Sequence, residues 1–274
     1  MIDLHSHTTA SDGQYAPAEL VALAVRAGVH TLAVTDHDTV DGLAEAREAA
    51  AGLGLTLVPG IELSAFVQKR EVHILGHFIR ADAPTLKDLS RRLRTERENR
   101  MEQMVQRLQR LGYPVTLEDV YRVAGEAQLG RPHLARALVE RGWCTSVREA
   151  FDRFLGDGKA AWVDRFRLEA PHAIRLLQEA GGTATLAHPG ASRMERYDIE
   201  QLAAAGLAGL EVFHVDHNPS VREKYLRMAH ELSLVPTAGS DFHGEQVAPT
   251  HRLGSASTPP EAFAALRARA RPPA

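Results

Sequence analysis

Residues 3–13 (DLHSHTTASDG) hold two histidines and two carboxylates, and His5 and His7 are separated by a single residue. Residues two apart in an extended strand point to the same face, so this H-x-H pair can place two imidazoles on one metal ion. Near the other end of the chain, Asp241 and His243 repeat the spacing as D-x-H. Taken alone, the H-x-H pair is a weak signal, because histidines two apart occur by chance in many proteins.

More residues of these types lie at or near the ends of predicted strands. Short β-branched or apolar runs alternate with amphipathic helical stretches, which predicts a mostly parallel sheet wrapped by helices. In barrel-like proteins of this kind, the C-terminal ends of the strands form the catalytic face. We predict strands at 1–5, 31–36, 56–63, 72–78, 183–189, 210–215 and 234–243. Their candidate residues are His5, His7, Asp36, His37, Asp38, Glu62, His73, His77, His188, Asp241 and His243.

Imidazoles and carboxylates at this density indicate a metal site, because partly buried carboxylates repel one another unless a cation neutralises them. Imidazole with carboxylate suits Zn, Mn or Fe better than Ca or Mg, and the lack of thiolates disfavours a structural zinc site. Six strand ends that each carry a ligand type predict a polynuclear metal site. A role as buried polar residues of the core would not explain why they lie at one end of their strands.

Length and composition limit the class of protein. With 274 residues and 44% hydrophobic residues, the chain can form one barrel-sized domain or two smaller ones. Its single cysteine, Cys144, excludes an internal disulfide and fits a reducing compartment. The apolar runs are far shorter than the roughly 20 residues that span a bilayer, and no secretion signal follows Met1. We expect a cytoplasmic protein that does not bind membranes.

Residues 81–165 break the alternation of strands and helices. A long helix pattern at 84–112 is followed by shorter ones near 116–124, 131–141 and 146–155. We therefore predict a discontinuous barrel domain, 1–80 and 166–274, and a helical insert at 81–165 that covers the active site. Residues 80–165 hold 17 Lys and Arg against 13 Asp and Glu, and the rest of the chain holds 15 against 22. A basic insert beside an acidic metal shell suits an anionic substrate.

The motifs HSH, SDG, TDHDT, GIELS, VHILGH, AHPG and GSDFH closely resemble those of the PHP (polymerase and histidinol phosphatase) family of metal-dependent phosphoesterases. Within that family, the insert and the chain length are most similar to stand-alone bacterial enzymes. Those enzymes hydrolyse the 3′-phosphate of nucleoside 3′,5′-bisphosphates and trim short RNA from the 5′ end. The resemblance implies an α/β fold, a distorted (β/α)7 barrel with an inserted small helical domain.

The resemblance also implies three divalent metal ions, Mn²⁺, Fe²⁺/³⁺ or Zn²⁺, with Glu62 as a bridging ligand. The three ligand sets would be His5, His7, Glu62 and Asp241; Asp12, His37 and His243; and Glu62, His73 and His188. His77 remains an alternative to His73, since both can face the same side. A hydroxide held between ions would attack phosphorus. The candidate catalytic residues are Asp241, His243 and Arg131.

Substrate binding is assigned to Arg131, His133, Arg193 and His217. Arg131 and His133 begin a helix of the insert, where a guanidinium and free helix amides can bind phosphate. A solvent-facing Arg131 and a loop-anchoring His217 are the alternatives. Asp36 and Asp38 either orient a ligand or cap the next helix. Four further histidines receive no role: His30, His172, His230 and His251.

The predicted partners are a small nucleotide substrate and short single-stranded RNA. Sequence-specific DNA binding is not expected, because the net charge is −3 and no DNA-binding motif is visible. Three other readings stay open: a histidinol phosphate phosphatase, an amidohydrolase, and a metal-stabilised module that binds nucleotide without catalysis. The amidohydrolase reading lacks the strand-end lysine that commonly bridges metals in that class, and the complete ligand set argues against a non-catalytic module.

Overall fold

The computed structural model describes residues 1–125 and 129–271. The chain divides into two units, which we call the barrel unit (Met1–Ser90 and Arg167–Ala274) and the helical unit (Arg91–Phe166). A long helix, Pro84–Arg110, runs through the first boundary. Among the described residues, none of the helices combines the length and the apolar character that crossing a membrane requires.

Seven strands form one sheet in chain order in the barrel unit. They are β1 (Ile2–Asp3), β2 (Thr31–Val34), β3 (Thr56–Val67), β4 (Arg70–His77), β5 (Thr183–Leu186), β6 (Gly209–Phe213) and β7 (Val235–Ala238). Beyond β1 and β7, Ser6 bridges to Phe242 in parallel, and the N–H of Asp241 donates to the carbonyl of His5 at 2.9 Å. The sheet therefore closes almost completely, and the predicted α/β barrel is confirmed.

Strand β4 runs antiparallel to both of its neighbours, β3 and β5, whereas the other neighbouring strands are parallel. Only Gln68 and Lys69 separate β3 from β4, so a tight hairpin replaces the helix expected between them. Gln68 adopts a φ of 57°, a left-handed turn conformation. The N-terminal half of β4 therefore lies at the same end of the barrel as the C-terminal ends of the parallel strands. We call this end the C-terminal rim.

Six helices belong to the barrel unit: α1 (Pro17–Arg26), α2 (Leu43–Leu53), α7 (Ala170–Glu179), α8 (Arg196–Ala204), α9 (Pro219–Glu231) and α10 (Pro260–Arg269). Helix α1 begins with Pro17, which lacks an N–H at a position where a helix offers that group no partner. Helix α2 ends at Gly54, whose φ of 68° favours glycine. Helix α1 buries Leu20, Val21 and Ala24. Strands β2 and β5 are buried throughout, as expected for a sheet covered by helices.

The helical unit has a core of its own. It contains most of α3 (Pro84–Arg110), then α4 (Leu117–Ala124), α5 (Arg131–Glu140), α6 (Val147–Ala150) and a π-helical turn at Phe151–Leu155. Helix α3 buries Met101, Met104, Val105 and Leu108, which pack with Leu134 and other apolar side chains of the unit. Each Å² of apolar surface that these side chains remove from water stabilises the folded unit by roughly 25 cal/mol.

Candidate metal centre

All nine predicted metal ligands lie in the barrel unit at the C-terminal rim. His5, His7 and Glu62 form the floor, with side chains at most 1% exposed. The other six are more exposed, up to 55% for Asp12. These six are Asp12, His37, His73, His188, Asp241 and His243. The cluster is therefore closed below and open on one side, which gives a substrate access to it.

Glu62 lies at the centre of the cluster, and its two oxygens face different imidazoles. Oε2 is 3.2 Å from Nε2 of His5, 3.1 Å from Nε2 of His7 and 3.3 Å from Nδ1 of His37. Oε1 is 2.8 Å from Nδ1 of His73 and 3.2 Å from Nε2 of His188. A carboxylate that bridges two cations presents its oxygens in this divided way.

Two further carboxylates complete the cluster. Oδ1 of Asp241 is 3.3 Å from Nε2 of both His5 and His7, so that these residues and Glu62 form one group of potential ligands. Oδ1 of Asp12 is 3.4 Å from Nε2 of His243.

Two more groups of potential ligands lie at the rim. One contains His7, Asp12, His37 and His243, and the other contains His37, Glu62 and His73. His7 and His37 thus join groups to which the sequence did not assign them, while His188 reaches the centre through Glu62.

Unpaired ring nitrogens test whether a cation fits this cluster. Both nitrogens of His7 and Nδ1 of His37, His73 and His188 are buried without a hydrogen-bond partner among the described residues. A buried polar atom left unpaired costs about 1–3 kcal/mol, so a group of them that converges on carboxylates calls for a ligand. Imidazole nitrogens with carboxylate oxygens are the donors that Zn, Mn and Fe favour. The residues present fit divalent cations.

The charges of the cluster support the same conclusion. Although burial alone would raise it, the pKa of Glu62 is held well below its usual range by His37, His5 and His73. Burial opposes protonation of His7, but the adjacent carboxylates of Asp241 and Glu62 raise its pKa to about 10. In the metal-free chain, imidazolium groups therefore neutralise the carboxylates, and cation binding must displace their protons.

The backbone is strained where three residues enter the rim. Asp38, His188 and Asp241 have φ values of 57°, 22° and 51°, in the left-handed region that non-glycine residues rarely adopt. Asp241 is held there by its own carbonyl, which accepts hydrogen bonds from Nδ1 of His243 at 2.9 Å and Nδ1 of His251 at 2.8 Å. With its proton on Nδ1, His243 keeps the Nε2 lone pair for a metal.

Sequence reasoning missed two residues of this rim, Glu211 and His251. Glu211 lies within β6 and is 1% exposed, and its Oε1 accepts from Nδ1 of His5 at 3.0 Å. A charged residue inside a buried strand was the available signal. His251, to which we assigned no role, donates from Nδ1 to the carbonyl of Asp241 and lies 3.6 Å from Asp216. No spacing pattern links it to the other ligands.

His214, Asp241 and His251 form a fourth group with ligand-like spacing. Main-chain groups already bond to Nδ1 of both histidines. Nδ1 of His214 accepts from the N–H of Asp216 at 3.2 Å, so the ring proton is on Nε2, which is 3.5 Å from Oδ2 of Asp241. Nδ1 of His251 is a donor as well. Nδ1 of His251 thus donates to the carbonyl of Asp241, whereas Nε2 of His214 faces Asp241 without a hydrogen-bond partner among the described residues.

The structure favours His73 over His77 as the residue of β4 at the rim. His77 pairs with Gly60 and Thr183, which begins β5, so it lies toward the opposite end of the barrel. Its Nε2 is 2.8 Å from the carbonyl of Leu4. The antiparallel direction of β4 explains the difference, because four residues along a strand correspond to about 13 Å.

Asp36 and Asp38 do not cap the next helix, which begins after Gly42. Asp36 accepts hydrogen bonds from the N–H and hydroxyl of Thr8 at 2.7 and 2.8 Å and from the hydroxyl of Ser11 at 2.7 Å. It therefore holds the loop that carries Asp12.

The four predicted substrate residues have different surroundings. Helix α5 begins at Arg131, as predicted, and the Arg131 guanidinium donates to Asp157 at 2.6 Å. Nδ1 of His133 accepts from the N–H of Gly130. Arg193 is exposed in the loop after β5.

Both ring nitrogens of His217 bond to main chain, one to Gly190 N–H and one to the Val212 carbonyl. This arrangement favours the loop-anchoring alternative for His217 and leaves it no free nitrogen for substrate.

Residues 3–98 match a family model described as PHP domain. A curated relative from Escherichia coli (strain K12), named 5′-3′ exoribonuclease Rnm, is 37% identical over 259 residues, which cover 92% of this chain and 87% of the relative. The chain belongs to the PHP family. The motifs of the sequence predicted this membership, and the rim described above is the candidate metal centre.

Two other PHP relatives are similar along most of their length. One from Eggerthella lenta, named phosphoribosyl 1,2-cyclic phosphate 1,2-diphosphodiesterase, is 36% identical over 89% of this chain and 94% of its own. One from Chromobacterium violaceum, named 3′,5′-nucleoside bisphosphate phosphatase, is 35% identical over 88% of this chain and 87% of its own. All three names describe hydrolysis of phosphate esters, and the chain is a metal-dependent phosphoesterase of the PHP family.

Proposed function

We propose that this phosphoesterase removes the 3′-phosphate of nucleoside 3′,5′-bisphosphates and trims short RNA from the 5′ end, with three divalent ions, Mn²⁺, Fe²⁺/³⁺ or Zn²⁺. The observation that carries the proposal is Glu62, whose two oxygens face separate sets of imidazoles at an open rim. The names of the relatives from Escherichia coli and Chromobacterium violaceum support RNA and nucleotides as the substrate class.

Nine residues would hold the ions. His5, His7, Glu62 and Asp241 would hold one; Asp12, His37 and His243 a second; and Glu62, His73 and His188 the third. When bound, divalent ions lower the pKa of water and neutralise charge on phosphate oxygens.

The protein's own contribution is placement. Buried His5, His7 and Glu62 fix the floor, and Asp12, which is 55% exposed, lies where a phosphate can approach. We assign Asp241 and His243 to the activation of water through the ions that they would hold at the open side of the rim.

Substrate contacts are assigned to two arginines and one histidine. Arg193 is exposed and lies five residues after His188 in the barrel unit. Arg131 and His133, at the start of α5, remain candidates for binding the phosphate and ribose, and the helical insert remains our candidate for the cover of the active site. Arg131→Ala should raise KM for bisphosphates by a larger factor than the factor by which it lowers the number of bound metal ions.

Hydrolysis of a cyclic phosphate is a second candidate, because the relative from Eggerthella lenta named for that activity is 36% identical over 94% of its length. Histidinol phosphate phosphatase activity would use the same metal set. The substrate, rather than the metal centre, separates these functions.

A substrate panel tests the proposal. The protein, loaded in turn with Mn²⁺, Fe²⁺ and Zn²⁺, is assayed with adenosine 3′,5′-bisphosphate, 5′-phosphorylated RNA trimers, phosphoribosyl 1,2-cyclic phosphate and histidinol phosphate. We expect kcat/KM to be highest for the bisphosphate or the RNA, by at least about tenfold over the other two. A preference for the cyclic phosphate or histidinol phosphate would replace the proposed substrate. Nucleotide binding without phosphate release under every metal would show a non-catalytic module.

The same assay with Asp241→Ala and His7→Ala tests the site itself. Both variants should keep the far-ultraviolet circular dichroism of the wild type and lose turnover by about a thousandfold or more. Full activity of either metal-loaded variant would reject its assignment as a ligand.

A further inference from the structure

Glu211 is a buried carboxylate that the proposed reaction does not use. It lies in β6, is 1% exposed, and belongs to none of the groups of potential ligands found among the described residues. A carboxylate removed from water to this extent costs several kcal/mol unless it is paired and hydrogen-bonded. Its partners therefore indicate what it does.

One oxygen of Glu211 determines which nitrogen of His5 carries the ring proton. Oε1 is 3.0 Å from Nδ1 of His5, and an ionised carboxylate can only accept, so Nδ1 is the donor. In the neutral ring, Nε2 of His5 then carries the lone pair, and this nitrogen lies 3.2 Å from Glu62 and 3.3 Å from Asp241. A metal-binding imidazole needs its lone pair on the side of the ion.

The other oxygen holds the main chain of a second predicted ligand. Oε2 accepts from the N–H of His188 at 2.7 Å. His188 has a φ of 22°, a conformation that costs about 1–3 kcal/mol and persists only when its surroundings impose it. The hydrogen bond to Glu211 contributes to that constraint, and it directs Nε2 of His188 to Oε1 of Glu62 at 3.2 Å.

The packing around Glu211 leaves the carboxylate little freedom. A Cβ added to Gly239 would lie 2.8 Å from Oε1 of Glu211 and 2.2 Å from Cβ of His5. The glycine therefore allows the end of β7 to press against both residues. Glu211 is fixed from one side by this backbone and from the other by its two hydrogen bonds.

We propose that Glu211 is a positioning residue that fixes the tautomer of His5 and the main chain of His188, and thereby sets the affinity of the two ions that these histidines hold. The inference rests on the proposed three-ion centre. Glu211 acts through its neighbours and touches neither metal nor substrate. The ion held by Asp12, His37 and His243 is independent of it.

Glu211→Gln tests this role, because an amide has one acceptor where the carboxylate has two. Either the bond to His188 is lost, or the amide donates to Nδ1 of His5 and moves the His5 proton to Nε2, away from the metal-binding tautomer. Metal content is measured by plasma mass spectrometry after dialysis against buffered Zn²⁺ or Mn²⁺. We expect three ions in the wild type, and in the variant one ion of unchanged affinity and two weakened about 10–100-fold.

Asp198→Asn is the matched control. Asp198 is also a buried carboxylate of the barrel unit, 4% exposed, but it pairs with Arg70 and contacts none of the nine predicted ligands. This variant should bind three ions with wild-type affinity. Unfolding of the metal-free wild type, Glu211→Gln and Asp198→Asn is followed in parallel. A loss of stability is thereby distinguished from a loss of metal affinity.

A spectroscopic readout serves if Glu211→Gln does not fold. Nitrogen-15 NMR of the Zn²⁺-loaded wild type should show His5 protonated at Nδ1. Protonation at Nε2 would overturn the inference, as would a Glu211→Gln variant that binds three ions as tightly as the wild type. A wild type that binds fewer than three ions would instead contradict the proposed metal centre.

Discussion

A single residue, Glu62, connects most of the candidate metal centre. Its carboxylate lies within 3.3 Å of one nitrogen in each of five imidazoles, although it is 1% exposed. Such an arrangement is stable only while imidazolium groups or cations neutralise the carboxylate. Replacing the two carboxylate oxygens of Glu62 by a single oxygen would therefore change the contacts with both sets of imidazoles.

Glu62→Gln should therefore remove more than one ion. The amide keeps the size of the side chain but loses the charge and one acceptor, so we expect at least two ions to be lost and kcat/KM to fall about a thousandfold or more. Metal analysis and the bisphosphate assay measure both effects. Glu195→Gln, at an exposed carboxylate that pairs with Lys224, should change neither. Retention of three ions by Glu62→Gln would contradict the bridging role.

The residue types of the rim were readable from the sequence, but their supports were not. Imidazoles and carboxylates at predicted strand ends identified eight of the nine predicted ligands, because strand ends meet at one rim whatever the details of packing. The resemblance to the PHP family supplied the ninth, Asp12. Glu211 and His251 were missed for a physical reason. Each acts by a hydrogen bond to a residue distant in sequence, and such contacts leave no spacing pattern.

Among the elements, β4 shows what periodicity could not predict. The alternation of side chains along a strand is the same in both directions, so the pattern gave a strand at the right place without its antiparallel direction. Direction decides which histidine of β4 lies at the rim, since His73 is near the start of the strand and His77 ends it. The two-residue connection after Val67 held the information, because a parallel neighbour needs a far longer crossover.

The end of β7 depends on a glycine for its close approach to β1. Gly239→Ala places a methyl group 2.2 Å from Cβ of His5 and 2.9 Å from its main-chain nitrogen. We expect a loss of about 1–3 kcal/mol in the free energy of unfolding, and weaker binding of the ion assigned to His5. Urea unfolding and metal titration measure the two effects.

Gly52→Ala is the control for that substitution. Gly52 lies near the end of α2, and an added Cβ would have nothing within 4 Å. Alanine there should leave metal binding unchanged and stabilise the chain by up to about 1 kcal/mol. If Gly239→Ala is as well tolerated as Gly52→Ala, close packing at the end of β7 is not required.

Helix α4 should make the helical unit sensitive to acid. Asp119 accepts from Arg141 and Arg122 and from the N–H of Thr116, and these bonds, that of Arg141 first, lower its pKa to about 2. Since the folded pKa is lower than the unfolded value of about 3.9, the stabilisation is present above pH 4 and is lost as the pH falls toward 2.

Asp119→Asn tests this assignment by fluorescence, because both tryptophans of the chain, Trp143 and Trp162, belong to the helical unit. At pH 6 the variant should unfold at a lower urea concentration than the wild type. Its free energy of unfolding should be lower by about 1–3 kcal/mol. The difference from the wild type should shrink as the pH approaches 2.5. An equal difference at both pH values would exclude Asp119 as the source of the acid sensitivity.

At the scale of the whole molecule, the predicted metal ligands and the apolar core of the helical unit belong to different units. All nine predicted ligands lie in the barrel unit, whereas the apolar cluster around Met104, Leu108 and Leu138 is formed within the helical unit. The sequence predicted a discontinuous barrel with an insert from the break in alternation. The division lies within α3, at Ser90 and Arg91, where the helical pattern continues without interruption and so marks no boundary.

Metal ions should accordingly stabilise one unit and not the other. A ligand that binds only the folded state at 100 times its Kd adds about 2.7 kcal/mol, which corresponds to about 5–10 °C in Tm for a unit of this size. We expect Zn²⁺ or Mn²⁺ to raise the Tm of the calorimetric transition of the barrel unit, chelation by EDTA to reverse it, and the tryptophan-monitored transition to stay unchanged. The His7→Ala variant should respond weakly to either metal. Equal shifts of both transitions would show that the two units unfold as one, because the tryptophans report only on residues 91–166.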